Sequence, residues 1–435
     1  MADIRAFRGW RYNLARVGEL SQVVAPPYDV IGPDLQESLY ARHPANVVRL
    51  ELNKTLPGDS ETENCYTRAA RHLHGWKLDG TLVEDPDPAI YVCHQDFTVE
   101  ERKYTRRGFL ARLKLEPFGT GQVFPHEETM SGPKADRLRL FHTTGMDLSP
   151  VFGLYPDPAD EVQELLEAAR RSHTPLEAVD HLGVVSRLWV LNQHELVSRL
   201  QGLMGPRPVF IADGHHRYET ALRYRDERRA AGAVRDSEAT ANFVLMMFVS
   251  MSDPGLVILP THRLVTGLSG LRSDALRAAL ENEFEIEPVG EGVAAGRETW
   301  ELIEADGTQN MIGLGTVADG RWLLARLRGS SAMQRLVPQH SPTWRELAVS
   351  VLHELILENL LHDPVGGKNL SLRYVHLIDE VLDSVSPRQC DLACLVPAAT
   401  MHHLQVIASG SERMPPKSTY FYPKILTGLV FNPIA

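Results

Sequence analysis

The sequence predicts a mixed α/β fold (α+β) with more than one domain. Strand-like and helix-like patterns alternate along most of the 435 residues, but without the regular strand–helix–strand rhythm of a parallel sheet. Hydrophobic residues make up 43% of the chain and charged residues 23%, which is an ordinary globular composition. A chain of this length favours two to three domains with a sizeable core.

The first half of the chain contains short apolar runs separated by turns and by segments of helical periodicity. Clustered β-branched and apolar residues predict strands, and apolar residues recurring every three or four positions predict helices. In chain order we expect a strand over 46–52, a helix over 61–77, strands over 89–93 and 108–113, helices over 134–141 and 159–170, a strand over 184–191 and a short helix over 194–200.

The sharpest junction follows at residues 208–230. Pro208 to Ala212 is an apolar strand that runs into Asp213-Gly214, and a charged helix is predicted over 216–230. Two strands are expected next, over 243–250 and 256–259.

The remaining third of the chain predicts a second α/β pattern. Residues 268–335 read as helix, strand, helix and hairpin, with Asp319-Gly320 at the hairpin tip. The chain then predicts a helix over 344–361 and strand-like segments over 418–421 and 427–431. We therefore expect three segments, a core over 1–265, a small α/β lobe over 266–340, and a C-terminal helical segment over 341–435 whose strands return to the core.

Charge and cysteine content narrow the class of protein. The 45 Lys and Arg against 56 Asp and Glu leave a net charge of −11, which does not suit broad binding to nucleic acid. Four cysteines are too few for a disulfide scaffold and fit a reducing cytosol. The start of the chain is polar, and no apolar run reaches 18 residues. These features predict a cytoplasmic protein without a membrane span whose partner is a small molecule.

The strongest local signal for function is Asp213-Gly214-His215-His216-Arg217. A helix N-terminus attracts anions, and Arg offers a planar fork that matches phosphate oxygens. Asp213 at the strand end is suited to coordinate Mg²⁺ or to accept a hydroxyl proton. The alternative is a helix capped by Asp213 with histidines on its surface. Under the functional interpretation, Arg217→Ala removes a phosphate contact without unfolding the protein.

A second cluster lies in the loop and helix over 124–137. His126 and Glu127 place a carboxylate beside an imidazole. Such a pair is suited to act as a general base that removes the proton of an alcohol. Lys134 and Arg137 are candidate phosphate ligands, and Thr129 is a candidate for binding the substrate. The alternative is a solvated loop before a capped helix.

Two Pro-rich motifs complete the candidates. Lys417-Ser418-Thr419 follows a Pro pair and has the composition of a phosphate clamp, although the glycines of a P-loop are absent. Pro26-Pro27-Tyr28-Asp29 is a rigid turn, and Tyr28 and Asp29 are candidates for binding the substrate. A polar strand and an ordinary turn are the alternatives for these two motifs.

Together these motifs carry a resemblance to a known family. PPYDV, PHE-x-T, DGHHRYETA and MPPKST-x-FYPK occur in this order, and they resemble the family catalogued as domain of unknown function 1015. Within it, DGHHR is similar to the phosphate-binding turn of the ParB/sulfiredoxin superfamily, which includes free L-serine kinases. The resemblance runs over nearly the whole chain, from about residue 4 to 431.

The resemblance implies a ParB/sulfiredoxin-like core that carries the DGHHR turn, with additional α/β lobes. It implies phosphate contacts from Gly214, His215, His216 and Arg217, with Asp213 as the Mg²⁺ or hydroxyl partner. Glu127 is then the candidate base. The implied donor is ATP, ADP or pyrophosphate, and the acceptor is L-serine.

Two other activities within this superfamily are weighed against the kinase. A nucleotide-binding regulator without kinase activity stays open. Sulfiredoxin-like chemistry uses a Cys in the turn, where this chain has His215. Under the kinase interpretation we expect all four motifs to line one cleft.

Overall fold

A computed structural model describes residues 2–127, 131–361, 370–385 and 388–435, with the backbone alone over 131–133. The chain forms two compact units. The first contains the described residues of 1–125, 129–257 and 423–435, and the second those of 126–128 and 258–422. The boundaries of these two units differ from those of the three predicted segments. The segment boundaries stay a prediction.

The strands are short except for two long central ones. In chain order they are β1 (Ile4–Arg5), β2 (Trp10–Tyr12), β3 (Leu82–Glu84), β4 (Ile90–Val99), β5 (Arg102–Lys114), β6 (Val123–Pro125), β7 (Met146–Asp147), β8 (Val151–Tyr155), β9 (Leu176–Val179), β10 (Val185–Leu191), β11 (Val209–Asp213), β12 (Phe243–Ser250), β13 (Val257–Leu259), β14 (His262–Thr266), β15 (Phe284–Glu291), β16 (Met311–Thr316), β17 (Arg321–Leu327), β18 (Ser371–Val375), β19 (Leu392–Leu395), β20 (Tyr420–Tyr422) and β21 (Asn432–Pro433).

The α-helices range from three to sixteen residues. They are α1 (Leu14–Val17), α2 (Pro33–Arg42), α3 (Val48–Glu51), α4 (Cys65–Leu78), α5 (Ser131–Thr144), α6 (Glu161–Arg170), α7 (His194–Met204), α8 (His215–Ala230), α9 (Ser273–Leu280), α10 (Gly292–Asp306), α11 (Ser331–Leu336), α12 (Pro342–Glu346), α13 (Ala348–Ser350), α14 (Ile378–Val385) and α15 (Met401–Ser409). A π-helix spans Val351–Leu360, and 3₁₀ turns span Leu20–Gln22, Tyr28–Val30 and Thr240–Asn242.

The first unit is built on one mixed sheet. Its strand order is β6-β11-β8-β12-β5-β4-β10-β9, with β1 paired to β5. β11 runs parallel to β6 and antiparallel to β8, and β12 runs parallel to β8. Because every residue of β12 is buried, this strand reads as a continuous apolar run. The sheet places the end of β11, at Asp213, beside β8, where the register shifts between Ile211 and Asp213.

The second unit holds a six-stranded antiparallel sheet of order β15-β17-β16-β19-β14-β18. The predicted hairpin is confirmed, because residues 317–320 join β16 to β17. The single helix predicted over 344–361 is wrong. Leu347 is extended (ψ 128°) between α12 and α13, and the chain then continues as the π-helix. Apolar periodicity does not report such a break, because Leu347 is an apolar residue that is fully buried where the helix is interrupted.

Two other predictions from the sequence are wrong, for reasons that lie in distant contacts. Residues 46–52 form a short helix instead of a strand, because Asn46 Oδ1 accepts the Val48 N–H at 3.0 Å and the Asn46 amide donates to Gln22 O and Val24 O. Residues 427–431 make isolated bridges to residues 25 and 10 instead of a continuous strand.

The mixed α/β class itself is confirmed. In the described part of the chain no helix combines the length and the apolar character that a membrane crossing needs.

Candidate functional site

The predicted site residues fall into two groups, one in each unit. The first unit contains Tyr28, Asp29, Lys134, Arg137 and residues 213–217, and the second contains His126, Glu127 and residues 417–419. Thr129 lies outside the described residues. The expectation that both groups line one cleft stays a prediction.

The predicted strand, turn and helix over 208–230 is confirmed. β11 ends at Asp213, Gly214 takes a left-handed conformation (φ 84°, ψ 28°), and α8 begins at His215. Asp213 Oδ1 accepts the Gly214 N–H at 2.7 Å, and Gly214 O accepts the Tyr218 N–H at 3.0 Å. The chain thus turns from the sheet into the N-terminus of a sixteen-residue helix, which carries partial positive charge.

Position 214 requires glycine because its backbone is left-handed and because the Arg217 side chain lies close to it. A Cβ at this position would lie 2.9 Å from Arg217 Nε, and the backbone is left-handed.

We expect Gly214→Ala to lower the free energy of unfolding by about 1–3 kcal/mol. Chemical denaturation measures this loss. Gly75→Ala is the control, because Gly75 lies inside α4 with nothing within 4 Å of its Cβ position, and there Ala stabilises by about 0.5–1 kcal/mol. Equal effects of the two substitutions would contradict a strained turn.

Arg217 is a fixed positive charge inside the first unit. Its side chain is only 6% exposed, its Nη1 donates to Pro150 O, and its Nη2 lies 3.7 Å from Asp213 Oδ2. Burial alone lowers the pKa of Arg217, but Asp213, Asp29 and other negative groups outweigh it and raise that pKa above its usual value. Because the Arg217 side chain is buried, we expect Arg217→Ala to destabilise the protein, which corrects the expectation from the sequence.

Asp213 is engaged at both carboxylate oxygens. Oδ1 accepts the Gly214 N–H, and Oδ2 accepts from Lys424 Nζ at 2.9 Å. A Mg²⁺ ion on Asp213 would have to displace this ammonium. The described residues also contain no cluster of three or more His, Cys, Asp or Glu side chains arranged to hold a metal. This donor set does not fit a resident magnesium ion.

Tyr28 and Asp29 lie in a 3₁₀ turn within the electrostatic reach of Arg217. The guanidinium of Arg137 stacks over the Tyr28 ring, 4.1 Å from its centroid. Burial raises the pKa of Tyr28 to about 12, against the opposing effect of Arg217. Tyr28 therefore stays a neutral hydroxyl at physiological pH and can donate a hydrogen bond.

The other two predicted phosphate ligands of the first unit already have acidic partners. Lys134 Nζ lies 2.7 Å from Glu219 Oε2 on α8. Arg137 is buried and contacts Asp136 Oδ2 at 2.5 Å and Glu51 Oε1 at 3.3 Å. The pairs with Glu219 and Glu51 join α5 to α8 and α3. A phosphate role for either residue stays a prediction that requires these pairs to open.

Asp147 is a buried acid within the electrostatic reach of Arg217. Asp147 is fully buried, and its Oδ2 accepts the Leu245 N–H at 2.7 Å. Burial raises the pKa of Asp147 to about 7, although the Leu245 N–H and Arg217 oppose this shift. Burial thus favours the protonated form of Asp147.

The group in the second unit is organised around the segment 414–419. His126 O accepts the Met414 N–H at 2.7 Å, and His126 Nε2 lies 2.8 Å from Thr419 Oγ1. The Ser418 hydroxyl donates to Pro415 O at 2.5 Å. The hydroxyls of Ser418 and Thr419 therefore hold the segment in shape, and their predicted phosphate contacts stay predictions.

Lys417 has an unusual backbone for a residue other than glycine, with φ 60°. Its N–H donates to Glu127 Oε1 at 2.9 Å, and its carbonyl accepts from Arg263 Nη2 at 2.9 Å. Arg263 is itself buried, and its Nε lies 3.3 Å from His353 Nε2. Glu127 thus contributes to holding this backbone, and its role as a base stays a prediction.

The left-handed backbone at Lys417 predicts which substitutions the segment tolerates. We expect Lys417→Val to lower the free energy of unfolding by about 1–2 kcal/mol, because a β-branched residue strongly disfavours φ near 60°. Lys417→Gly removes the same side chain without that strain and should cause no such loss. Urea denaturation of both variants checks this, and equal stabilities would show that the backbone relaxes at this position.

Two residues at these sites were missed from the sequence. Lys424 belongs to the quoted FYPK motif, but a lysine after a proline gave no local sign of contact with Asp213. Arg263 lies in the strand β14 (His262–Thr266), where a charged residue directly before the apolar Leu264 and Val265 was the available signal.

Comparison with solved structures found distant likenesses. A conserved hypothetical protein from Pyrococcus furiosus shares 13% identity over 70% of this chain and 89% of its own, with a TM-score of 0.34. A mutant free serine kinase in complex with ADP shares 11% identity over 69% of this chain and 84% of its own, with a TM-score of 0.35. SbnI with a C-terminal truncation, from Staphylococcus aureus, shares 10% identity over 75% and 87%, with a TM-score of 0.35.

No curated protein matches the sequence. A family model described as protein of unknown function (DUF1015) matches residues 4–350. This confirms the resemblance drawn from the motifs, of which the last, at 414–424, lies beyond the matched span.

Proposed function

We propose that this chain, which belongs to the DUF1015 family of proteins of unknown function, is a small-molecule phosphotransferase whose residues 214–217 bind the phosphate of the donor. The observation that carries the proposal is the burial of Arg217 in the first turn of α8. This helix begins directly after the left-handed Gly214. A fixed guanidinium at a helix N-terminus combines charge, fork geometry and the helix dipole toward one anion.

Phosphoryl transfer suits this inventory of side chains. The transition state is loose, so catalysis depends on positioning and on neutralising charge more than on a strong base. The acceptor hydroxyl oxygen forms a bond to the terminal phosphorus while the bond to the bridging oxygen breaks, and the leaving phosphate keeps that electron pair. The hydroxyl proton passes to Asp213, a weak base that serves a late proton transfer.

The acceptor and donor follow from the resemblance of DGHHR to the turn of the free serine kinases. We propose L-serine as the acceptor, which gives O-phosphoserine, and ATP, ADP or pyrophosphate as the donor. Tyr28 and Asp29 are the proposed contacts for the amino acid, because Asp29 carries the charge that an α-ammonium group needs. The assay is run with and without Mg²⁺, because Asp213 Oδ2, the predicted metal ligand, already accepts from Lys424.

A matrix of donors and acceptors tests this proposal. Purified protein is incubated with L-serine and each of ATP, ADP and pyrophosphate, with and without Mg²⁺, and O-phosphoserine is measured. L-Threonine, D-serine and L-alanine are the comparison acceptors, and L-alanine lacks the hydroxyl. We expect O-phosphoserine with at least one donor and no product from L-alanine.

The alternative is a nucleotide-binding regulatory protein. Binding of a donor at 214–217 without transfer to any hydroxyl would support that alternative and reject the kinase. If changing Arg217 reduces neither donor binding nor phosphoryl transfer, the proposed site is rejected.

A further inference from the structure

The C-terminal segment 423–435 belongs to the first unit, although the chain between it and residue 258 belongs to the second. It brings Lys424 to the end of β11, where Nζ lies 2.9 Å from Asp213 Oδ2. The matched family region ends at residue 350, so this lysine comes from outside it. The pairing joins residues that are 211 positions apart in sequence.

The backbone of Lys424 is held by buried polar groups. Pro423 O accepts from Arg106 Nη2 at 2.5 Å, and Lys424 O accepts from Gln95 Nε2 at 3.4 Å. Arg106 is fully buried and lies over the ring of Phe152, which is opposite Asp213 in the sheet. The position of the lysine is therefore built into the sheet of the first unit instead of resulting from a flexible tail.

Two cations share one carboxylate oxygen at this point. Lys424 Nζ is 2.9 Å from Asp213 Oδ2 and Arg217 Nη2 is 3.7 Å from the same atom. They differ in freedom. Both side chains are largely buried, at 6% exposed for Arg217 and 13% for Lys424, but Arg217 is anchored to Pro150 O. Lysine carries a compact ammonium on a flexible stem with three rotatable donors. Of the two, Lys424 is the cation that can move from the carboxylate to an arriving anion.

We infer that Lys424 is a phosphate ligand of the donor site, and that its transfer from Asp213 to the donor phosphate frees Asp213 Oδ2 to accept the hydroxyl proton. This inference rests on the proposed function and deepens it. Before the donor binds, the Lys424 ammonium occupies Asp213 Oδ2. Donor binding removes the ammonium from the carboxylate, so the base becomes available only when a phosphoryl group is in place.

Direct binding of inorganic pyrophosphate to the full chain tests the ligand role without requiring turnover. Isothermal titration calorimetry compares the wild type with Lys424→Met, Lys424→Arg and the control Lys54→Met. Lys54 pairs with Glu37 at the surface of the same unit, so its replacement removes the same charge elsewhere. We expect Lys424→Met to weaken binding about 10-fold to 200-fold, the range for one charge-assisted hydrogen bond. Lys424→Arg should retain part of the affinity, and Lys54→Met all of it.

A second substitution separates a ligand from a residue that merely neutralises Asp213. In an Asp213→Asn background the carboxylate that Lys424 would neutralise is absent. We expect Lys424→Met to weaken pyrophosphate binding in this background by a similar factor. If it has no effect there, Lys424 acts only through Asp213 and the inference is overturned.

The outcomes separate this inference from the proposed function. If the wild type binds pyrophosphate through Lys424 but transfers phosphate to no hydroxyl, the kinase proposal fails and the ligand role stands. If Lys424→Met binds pyrophosphate as the wild type does, or if the wild type binds none, the inference is overturned whatever the turnover. Should Lys424→Met fail to fold, Lys424→Gln replaces it, because Gln keeps a donor to Asp213 without the charge.

Discussion

Asp213→Asn protein should bind the donor at least as tightly as the wild type while its turnover falls about 10²- to 10⁴-fold, the usual contribution of a general base. The substitution keeps the size of the side chain, and Asn Oδ1 can still accept the Gly214 N–H. Lys424 and Arg217 lose the carboxylate that competes with the donor for them. Binding and turnover therefore move in opposite directions.

Calorimetry with pyrophosphate and a rate assay for O-phosphoserine measure the two effects separately. Asp59→Asn is the matched control, because Asp59 pairs with Arg68 at 2.6 Å elsewhere in the first unit. It should change neither quantity. If folded Asp213→Asn transfers phosphate to L-serine at the wild-type rate, Asp213 is only a helix cap and the mechanism is wrong.

Arg217→Ala should destabilise the protein by about 3–5 kcal/mol, the usual effect of breaking a buried charge pair by removing one partner. The substitution leaves Pro150 O without its guanidinium donor and removes a buried positive charge that interacts with Asp213 and Asp29. Urea denaturation measures the loss. Arg223→Ala is the control on the same helix, because Arg223 is 63% exposed, pairs with Glu227 and should change stability by less than about 1 kcal/mol.

The effect of Arg217 on the donor needs a variant that keeps the charge. Arg217→Lys loses the planar fork and should lower donor affinity about 10-fold to 200-fold in protein that still folds. Equal destabilisation by Arg217→Ala and Arg223→Ala would show that Arg217 is not a buried structural charge. Unchanged donor affinity in Arg217→Lys would remove it from the phosphate site.

The junction at residues 208–230 was predictable because each of its parts has a local cause. The apolar run of β11 forms a buried strand, Gly214 permits the left-handed turn, and a charged segment of helical propensity follows. The mixed α/β class was predictable for the same reason, since strand and helix periodicities are properties of neighbouring residues. The motifs that mark the family are likewise short and local.

Other features depend on contacts between distant residues, which periodicity does not report. Asn46 replaces an expected strand with a short helix through bonds to Gln22 and Val24. Lys417 is held in a left-handed conformation by Glu127 and Arg263, each more than a hundred residues away. The polar character of these residues was visible, but their partners were not.

The sequence by itself thus determined where phosphate chemistry is to be sought, because a strand, a glycine turn and a helix N-terminus are encoded by adjacent residues. Only the tertiary structure decided that Arg217 is buried and that Lys424 neutralises Asp213. Burial and charge pairing depend on which distant segments pack together. The local pattern of Asp213 to Arg217 is the same whether or not residues 423–435 return to this sheet.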